Sequence, residues 1–452
     1  MAKAMTKYVC TNCGAQYSAW AGRCSQCSEW NTLQEEVQLA VSASGSSVSG
    51  VALQPQTVID TIAKPEKRLP TSITDIDEVL GGGLVPGGVV LIAGQPGIGK
   101  STLLLQIANQ IAQAHSVLYV SGEESQHQIG MRASRLQTTS ADLQLATSNQ
   151  ADDIASTIAT KQFQLVVVDS IQTMNVHGVN STPGSVSQIT NSTNVLLQAA
   201  KQSNTALIIV GHVTKEGSIA GPKILEHIVD VVLQLEGDAY GGFKVLRATK
   251  NRFGPTTEAA IMEMNELGLQ PVLNPSRALL EERQITDGSV VLATLEGTRP
   301  LLVEVQALVN KTNYGYPKRA ASGIDLNRLN LLVAMLERRT KLQLSEQDIY
   351  VNIVGGLKLQ DPAADLAICM AIGSAAKGLA LTKNAVVFGE VGLSGEVRHV
   401  PFIDKRIAEA RKMGFEVAIG PRQRGTKRQS DFLQVIPDVR TALNEFLHSK
   451  KD

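Results

Sequence analysis

Short apolar runs alternate with stretches of helical period through the middle of the chain. The runs at 89–93, 116–121, 143–146, 165–169, 206–211 and 229–235 read as buried strands. Between them the period predicts helices after Lys100, from Ser125, over 152–161 and over 187–202. Alternation of this kind specifies an α/β unit, a mainly parallel sheet with helices on both faces, and ligands then bind at the carboxyl ends of the strands. The pattern changes after Asn274-Pro275. Strands at 289–296 and 301–308 flank Gly297-Thr298, and a helix starts at Asp325 with Leu329, Leu332, Val333 and Leu336 on one face. A strand at 349–354, an apolar helix over 363–377 and a helix from near Asp404 to before Gly414 complete an α+β unit. From 34 to 56 periodicity dissolves, and 42–50 has the Ser/Gly composition of a flexible linker. The expected organisation is a small module at 1–33, a linker at 34–57, the α/β unit at 58–273 and the α+β unit at 274–452.

The strand ends carry polar residues that a core does not need. Gly94-Gln95-Pro96-Gly97-Ile98-Gly99-Lys100-Ser101 lies between the 89–93 strand and an apolar helix that begins at Thr102. This is the G-x-x-x-x-G-K-[ST] phosphate loop in the strand–loop–helix context it requires. Its glycines let the backbone curl until N–H groups point inward at a polyphosphate, and the following helix adds its N-terminal dipole. Lys100 is placed to reach the β- and γ-phosphates and Ser101 to ligate Mg²⁺, so 94–102 is the expected nucleotide site. The 165–169 strand ends in Asp169, the position that holds a Mg²⁺ shell. After the 116–121 strand come Glu123 and Glu124. One of them could orient and deprotonate the attacking water, with Glu123 the first choice; the competing reading is that both only start the next helix, where negative charge suits the dipole. His212 ends the 206–211 strand, either as a γ-phosphate sensor or as a structural histidine.

Cys10-x-x-Cys13 and Cys24-x-x-Cys27 form two knuckles, each with two thiolates on one side of a tight turn. Two knuckles complete a tetrahedron around Zn²⁺, and four thiolates leave no open position for water, so the zinc is structural. A redox dithiol pair or disulfides are the alternative. Tyr17, Trp20 and Trp30 are expected to pack around this ribbon, with a contact to a partner or DNA left open. The 452 residues are 43% hydrophobic and 19% charged, which allows ample core. Aromatics at 4% argue against a base-stacking surface as the main device, and a net charge of zero requires any nucleic-acid site to be a local basic surface. No apolar segment follows Met1 to Lys7, and no run approaches the ~20 apolar residues of a membrane helix. Without a secreted disulfide pattern, the expectation is a cytoplasmic protein with no membrane partner.

The stretch from Pro70 through Asp77 and Gly81-Gly82-Gly83 to Gly87 resembles the lead-in of RecA-like ATPases. With GQPGIGKST at 94–102, YVSGEES at 119–125 and VVVDS at 166–170, the chain resembles the RecA/DnaB/KaiC superfamily. Residues 212–227 and Lys250-Asn251-Arg252-Phe253-Gly254, with the zinc module, are similar to the signature of the RadA (Sms) family of bacterial DNA repair proteins over essentially the whole chain. The resemblance implies a RecA-like P-loop ATPase core using ATP, an N-terminal C4 zinc finger and a C-terminal Lon protease-like domain. It also implies active sites between subunits of a ring, usually a hexamer. Lys250 and Arg252 would reach the neighbour's γ-phosphate, as the K-x-R-x-G element of DnaB-type helicases does; otherwise they are two cations at a surface strand end. Residues 172–188 and 213–222 resemble the two DNA-binding loops of RecA, with Lys215 and Lys223 offering phosphate contacts; otherwise they are plain surface loops. The implied activity is DNA-stimulated ATP hydrolysis by a ring that loads on single-stranded DNA and drives branch migration of branched recombination intermediates, with RecA recombinase as partner.

The Lon resemblance invites a peptidase, and the residues argue against it. Lon's nucleophilic serine position falls on Ala363 and its lysine position on Asp404, with Lys405 one residue late. The unit is therefore expected to be a proteolytically inactive scaffold. Lys311, Lys318-Arg319, Arg338-Arg339-Lys341, Arg422, Arg424 and Lys427-Arg428 are candidates for a duplex track, Lys318 and Arg319 foremost, or else a solvated face. A peptidase and a KaiC-like nucleotide-switched scaffold stand as the alternative functions.

Overall fold

The computed structural model describes residues 5–10, 15–30, 32–38, 57–58, 67–212, 224–237, 242–313, 315–425 and 430–447. Contacts divide the chain into two units, Met1–Pro65 and Glu66–Asp452.

In the first unit β1 (Met5–Cys10) pairs antiparallel with both β2 (Gln16–Tyr17) and β3 (Leu33–Gln38). Cys10, Cys24 and Leu33 are buried, with Tyr8, Ala15, Tyr17 and Cys27 packed around them. Burial on this scale is too small to fold a segment without a metal or disulfides. Tyr17 takes its expected place in that cluster. The two tryptophans do not: Trp20 is 59% and Trp30 69% exposed, because the cluster already closes over the thiols without them.

In the second unit, β4 (Val89–Gly94), β5 (Val117–Ser121), β6 (Leu143–Thr147), β7 (Leu165–Asp169), β8 (Ala206–His212) and β9 (Val231–Gly237) are parallel. Antiparallel β10 (Phe243–Asn251), β11 (Ala259–Asn265) and β12 (Gly268–Pro271) extend the sheet past β9. The strand order is β12-β11-β10-β9-β4-β8-β7-β5-β6. Successive residues of a strand enter different cores. Val90, Ile92 and Tyr119 pack with Leu103 and Leu104 of helix Lys100–Ile111 on one face. Val89, Leu91 and Val120 pack with Ile154 and Leu196 on the other. Apolar runs without alternation are what burial on both faces demands. β9 starts at Val231 and not at 229, because the Val229 N–H closes the short helix Ile224–Ile228 by donating to the Leu225 carbonyl at 3.1 Å.

The α+β part is a seven-stranded mixed sheet. Its hairpin, β13 (Ser289–Glu296) and β14 (Arg299–Lys311), turns at Gly297-Thr298 as the pattern predicts. β15 (Arg319–Ser322), β16 (Gln347–Ile353), β17 (Ala385–Val387), β20 (Val417–Gly420) and β21 (Leu433–Val435) complete it in the order β15-β16-β14-β13-β17-β20-β21, and β18 (Glu390–Val391) and β19 (Val397–Arg398) form a separate small ladder. Helix Ala364–Lys377 is buried along its first three turns. Phe243, Val245 and Ile261 of the first sheet share one hydrophobic cluster with Leu279, Leu301 and Val303. Residue 274 therefore marks a change of sheet within continuous packing. Among the described residues no helix is long and apolar enough to cross a membrane.

Candidate functional site

β4 runs buried into Gly94, level with His212 on β8 and Leu235 on β9. A Cβ on Gly94 would lie 2.6 Å from the Leu235 carbonyl oxygen, so the loop leaves the sheet where only glycine fits. Gly99 has φ +112° and a Cβ there would meet Met264 at 2.7 Å. Ile98 is plugged into the core, while Gln95, Pro96 and Gly97 face solvent. Lys100 heads its helix and folds back across the loop, Nζ donating to the carbonyls of Gly94 at 2.8 Å and Gln95 at 3.0 Å. Burial pulls this ammonium down to about 8, against the opposing pull of Asp169 and Glu123. Ser101 and Thr102 lie half-buried in the first turn.

Parallel pairing of β5 and β7 sets Ser121 level with Asp169. The buried Asp169 accepts from Tyr119 Oη through Oδ2 at 2.7 Å. Burial and the neighbouring carboxylate hold the Tyr119 phenol well above its ordinary range, so it remains a donor. Glu123 accepts from Ser170 Oγ, next to Asp169, whereas Glu124 is ion-paired with Arg132. Helix Gln126–Arg135 is capped by Ser125 and Gln128 bonding reciprocally. The helix start therefore needs neither acid, and the competing reading loses its support for Glu123. Tyr119, Ser170 and Arg132 were not legible as site residues; the one faint signal was a tyrosine in an otherwise aliphatic strand.

The backbone of His212 closes β8 beside Gly94. Lys215 and Lys223 lie outside the described residues. The 172–188 segment has more core than its composition suggests. Met174 is buried, and Gln188, also buried, donates from Nε2 to the carbonyls of Val179 and Ser181 and accepts from Val176 N–H.

Lys250 and Arg252 do not join the phosphate loop of their own chain. Lys250 pairs with Val232 and Asn251 with Val231, whereas Gly94 is level with Leu235. Val231 and Leu235 are about 13 Å apart along an extended strand, which puts the two cations toward the amino ends of the parallel strands. Lys250 Nζ donates to the carbonyls of Glu226 (2.6 Å), His227 (3.3 Å) and Val229 (2.7 Å), closing the end of helix Ile224–Ile228. Burial, then the Arg252 charge, lowers its pKa. Arg252 is ion-paired with Asp230 at 3.0 Å, and the second Asp230 oxygen accepts from Val89 N–H at 3.1 Å. Arg68 clamps this turn by donating to the carbonyls of Leu80 and Phe253. Gly254 lies back to back with Gly81, where a Cβ would come within 2.9 Å of Gly81 Cα.

In the α+β part, Ala363 is buried, its N–H donating to Asp361 at 3.0 Å. Asp404 accepts from Gln423, and Lys405 reaches the Thr298 carbonyl at 3.1 Å. Both lie on helix Ile403–Lys412, whose buried arginine, Arg406, is paired with Asp361 at 2.8 Å. Neither a nucleophile nor a lysine stands at the Lon dyad positions. The β14–β16–β15 register brings Lys311, Lys318 and Arg319 to one end of the sheet, with Lys311 opposite Gln347 and Arg319 opposite Ile349. Arg338 and Arg339 are in the last turn of helix Leu326–Thr340, and Lys427 and Arg428 lie outside the described residues.

The sulfurs of Cys10, Cys24 and Cys27 all lie within 4.8 Å of one another. Cys10 and Cys27 are 3.6 Å apart, close to the edge of about 3.8 Å in a tetrahedron of Zn–S bonds near 2.3 Å. The Tyr17 hydroxyl contact draws the Cys24 thiol down to about 6, favouring the thiolate a metal needs. Cys13 lies outside the described residues.

Residues 57–218 match the family described as AAA domain, residues 8–35 the rubredoxin metal binding domain, and residues 330–424 subunit ChlI of Mg-chelatase. Proteins named DNA repair protein RadA are similar along nearly the whole chain. That of Pseudomonas aeruginosa is 46% identical over 444 residues, 97% of this chain and 98% of its own. That of Bacillus subtilis is 47% identical over 429 residues, 93% of each. The Escherichia coli protein is 44% identical over 461 residues, 97% of this chain and 100% of its own. Among solved structures, that of the RadB recombinase is 25% identical, spans 45% of this chain and 99% of that one, and has a TM-score of 0.37. In sequence order the chain thus carries a zinc ribbon, a P-loop ATPase core of the AAA kind and a ChlI-like unit. Its cofactors are structural zinc on the ribbon and ATP with Mg²⁺ in the core.

Proposed function

The chain belongs to the RadA family of DNA repair proteins, and from that premise we propose that this recombinational-repair ATPase is DNA-stimulated and works as a hexameric ring motor. It loads on single-stranded DNA in the cytoplasm and drives branch migration of intermediates made with RecA recombinase. The observation that carries the reading is the position of Lys250 and Arg252, about 10 Å and about 17 Å along the strands from the phosphate loop of their own chain. A phosphoryl-transfer site needs cationic charge on the developing transition state, and this chain supplies only part of it around Gly94–Ser101. A head-to-tail ring brings the missing cations from the next copy.

Each residue then has a role. The loop amides and Lys100 hold the β- and γ-phosphates once Lys100 exchanges its carbonyl partners for them. Ser101 and Asp169 would hold Mg²⁺, which would supply positive charge to the phosphates; Asp169 has one oxygen fixed by Tyr119. Glu123, held by Ser170, orients the attacking water and takes its proton. His212, at the tip of β8, senses the γ-phosphate. DNA contacts come from Lys215 and Lys223 on the 213–223 segment and from the Lys318–Arg319 corner.

Phosphate release with and without an oligonucleotide tests the reading. ATP hydrolysis is expected to rise on adding single-stranded DNA and to vanish in Lys100→Ala. Oligonucleotide affinity is expected to fall steeply with salt, as phosphate contacts require. A KaiC-like scaffold would bind no oligonucleotide, and that outcome rejects the proposal.

A further inference from the structure

The chain has two tryptophans, and both stand exposed on the zinc ribbon. They are not scattered there. A Cβ on Gly22 would lie 3.7 Å from the Trp30 ring and 3.8 Å from the Trp20 ring, so the indoles border the same bare backbone. Arg23 sits over Trp30, its guanidinium carbon 5.8 Å from the ring centroid. The Ser28 carbonyl anchors Arg23 by accepting from Nε at 2.8 Å. Among the described residues no carboxylate pairs with this arginine. Apart from the cysteines and Tyr17, the only ionisable side chains over residues 15–30 are Arg23 and Glu29.

We propose that Trp20, Trp30 and Arg23 form a stacking platform for the unpaired bases of single-stranded nucleic acid. The proposal rests on the reading of the chain as a single-strand-binding motor and names a place on the ribbon where the strand is held. Bases stack on indole and guanidinium faces whatever their sequence, and an arginine free of carboxylates keeps its charge for a phosphate. Duplex bases are closed to such a surface. Tryptophan and arginine also anchor protein interfaces, but a protein anchor requires none of this free cationic charge. The low aromatic content of the chain is thus no bar to stacking, because its two largest π surfaces are placed together. The Cys24–Cys27 knuckle lies between the two tryptophans in sequence, so zinc held there would fix the turn that carries them.

Because no other tryptophan exists in the chain, the indole emission of the intact zinc-loaded protein reports on this platform alone. The experiment titrates the full-length protein with oligo(dT) and reads binding independently by the anisotropy of a fluorescein label on the DNA. Indole emission is expected to fall by roughly a third or more, in step with anisotropy, as stacked bases quench it. A Trp20→Ala/Trp30→Ala variant that retains its zinc is expected to bind oligo(dT) about tenfold more weakly, and the Trp→Phe pair to keep most of the affinity. Binding by anisotropy with unchanged emission, and unchanged affinity in the double variant, would overturn the platform while leaving the motor reading intact. No binding at all overturns both. Emission that follows protein concentration and ignores DNA would assign the indoles to a second copy of the chain and also overturn the proposal.

Discussion

Ser170 donates to Glu123 while Arg132 holds Glu124, so two adjacent carboxylates stand in different surroundings. Glu123→Gln is expected to lower ATP turnover by at least about 100-fold with nucleotide affinity nearly kept, the loss typical of a removed general base. Glu124→Gln should lose less than about tenfold in turnover and about 1 kcal/mol of stability, because its partner is a partly exposed arginine. Equal loss in the two variants, measured by phosphate release, would reject the assignment. Tyr119→Phe removes the bond that fixes one Asp169 oxygen. The Mg²⁺ concentration for half-maximal activity is then expected to rise about fivefold, with metal-free ADP binding unchanged. Lys100 gives a pH signature. Its ammonium is lowered to about 8 without nucleotide, and a triphosphate favours the charged form. ATP affinity should therefore fall as pH rises above about 8, and Lys100→Arg should flatten the profile. The stability linkage has the opposite sign. Between about 8 and the ordinary 10.5 the unfolded chain binds more protons at this lysine, so its contribution to stability rises with pH.

At the scale of elements, the turn after β10 is organised by backbone approach. Gly254 and Gly81 touch where no side chain fits, and Arg68 closes the turn by donating to two carbonyls. Gly254→Ala is expected to cost about 1–3 kcal/mol, since the obstacle is backbone and cannot rotate away; thermal unfolding of the variant checks it. Lys250 ends a helix as well as carrying charge, so a loss of activity in Lys250→Met has two sources, and only an unchanged melting temperature would isolate the second. Much at this scale was legible. Fully buried β4, β5 and β7 appear as unbroken apolar runs, and Ser125 and Asp325 announce their helices as caps, whereas the Ser185 cap sets the start of helix Val186–Gln202 one residue before the expected 187. β11 and β12 were not legible, because β11 changes from buried to exposed halfway along and β12 has only four residues.

At the scale of the whole molecule, the proposed division of the site between copies makes a quantitative prediction. Lys100→Ala subunits lack the phosphate loop cation and Arg252→Ala subunits lack the donated one. Each homogeneous assembly should be nearly inactive. Mixed in equal amounts, the two should restore activity at about a quarter of the interfaces, where an intact loop faces an intact Arg252. Phosphate release from the mixture checks this, and an inactive mixture would place both cations in the service of their own chain. The shared cluster around Phe243, Val245 and Leu279 also ties the α+β sheet to the ATPase sheet, so the two sheets are expected to unfold together.

The phosphate loop, Asp169, the glutamate pair and the cysteine knuckles were determined by sequence alone, because each is local: its chemistry depends on residues a few positions apart on a strand end or turn. Tertiary structure decided what depends on distant partners. Strand register sent Lys250 and Arg252 away from their own phosphate loop. A serine and an arginine from different elements separated Glu123 from Glu124. The small size of the cysteine cluster left both tryptophans in solvent, where the pattern of residues alone had packed them around the ribbon.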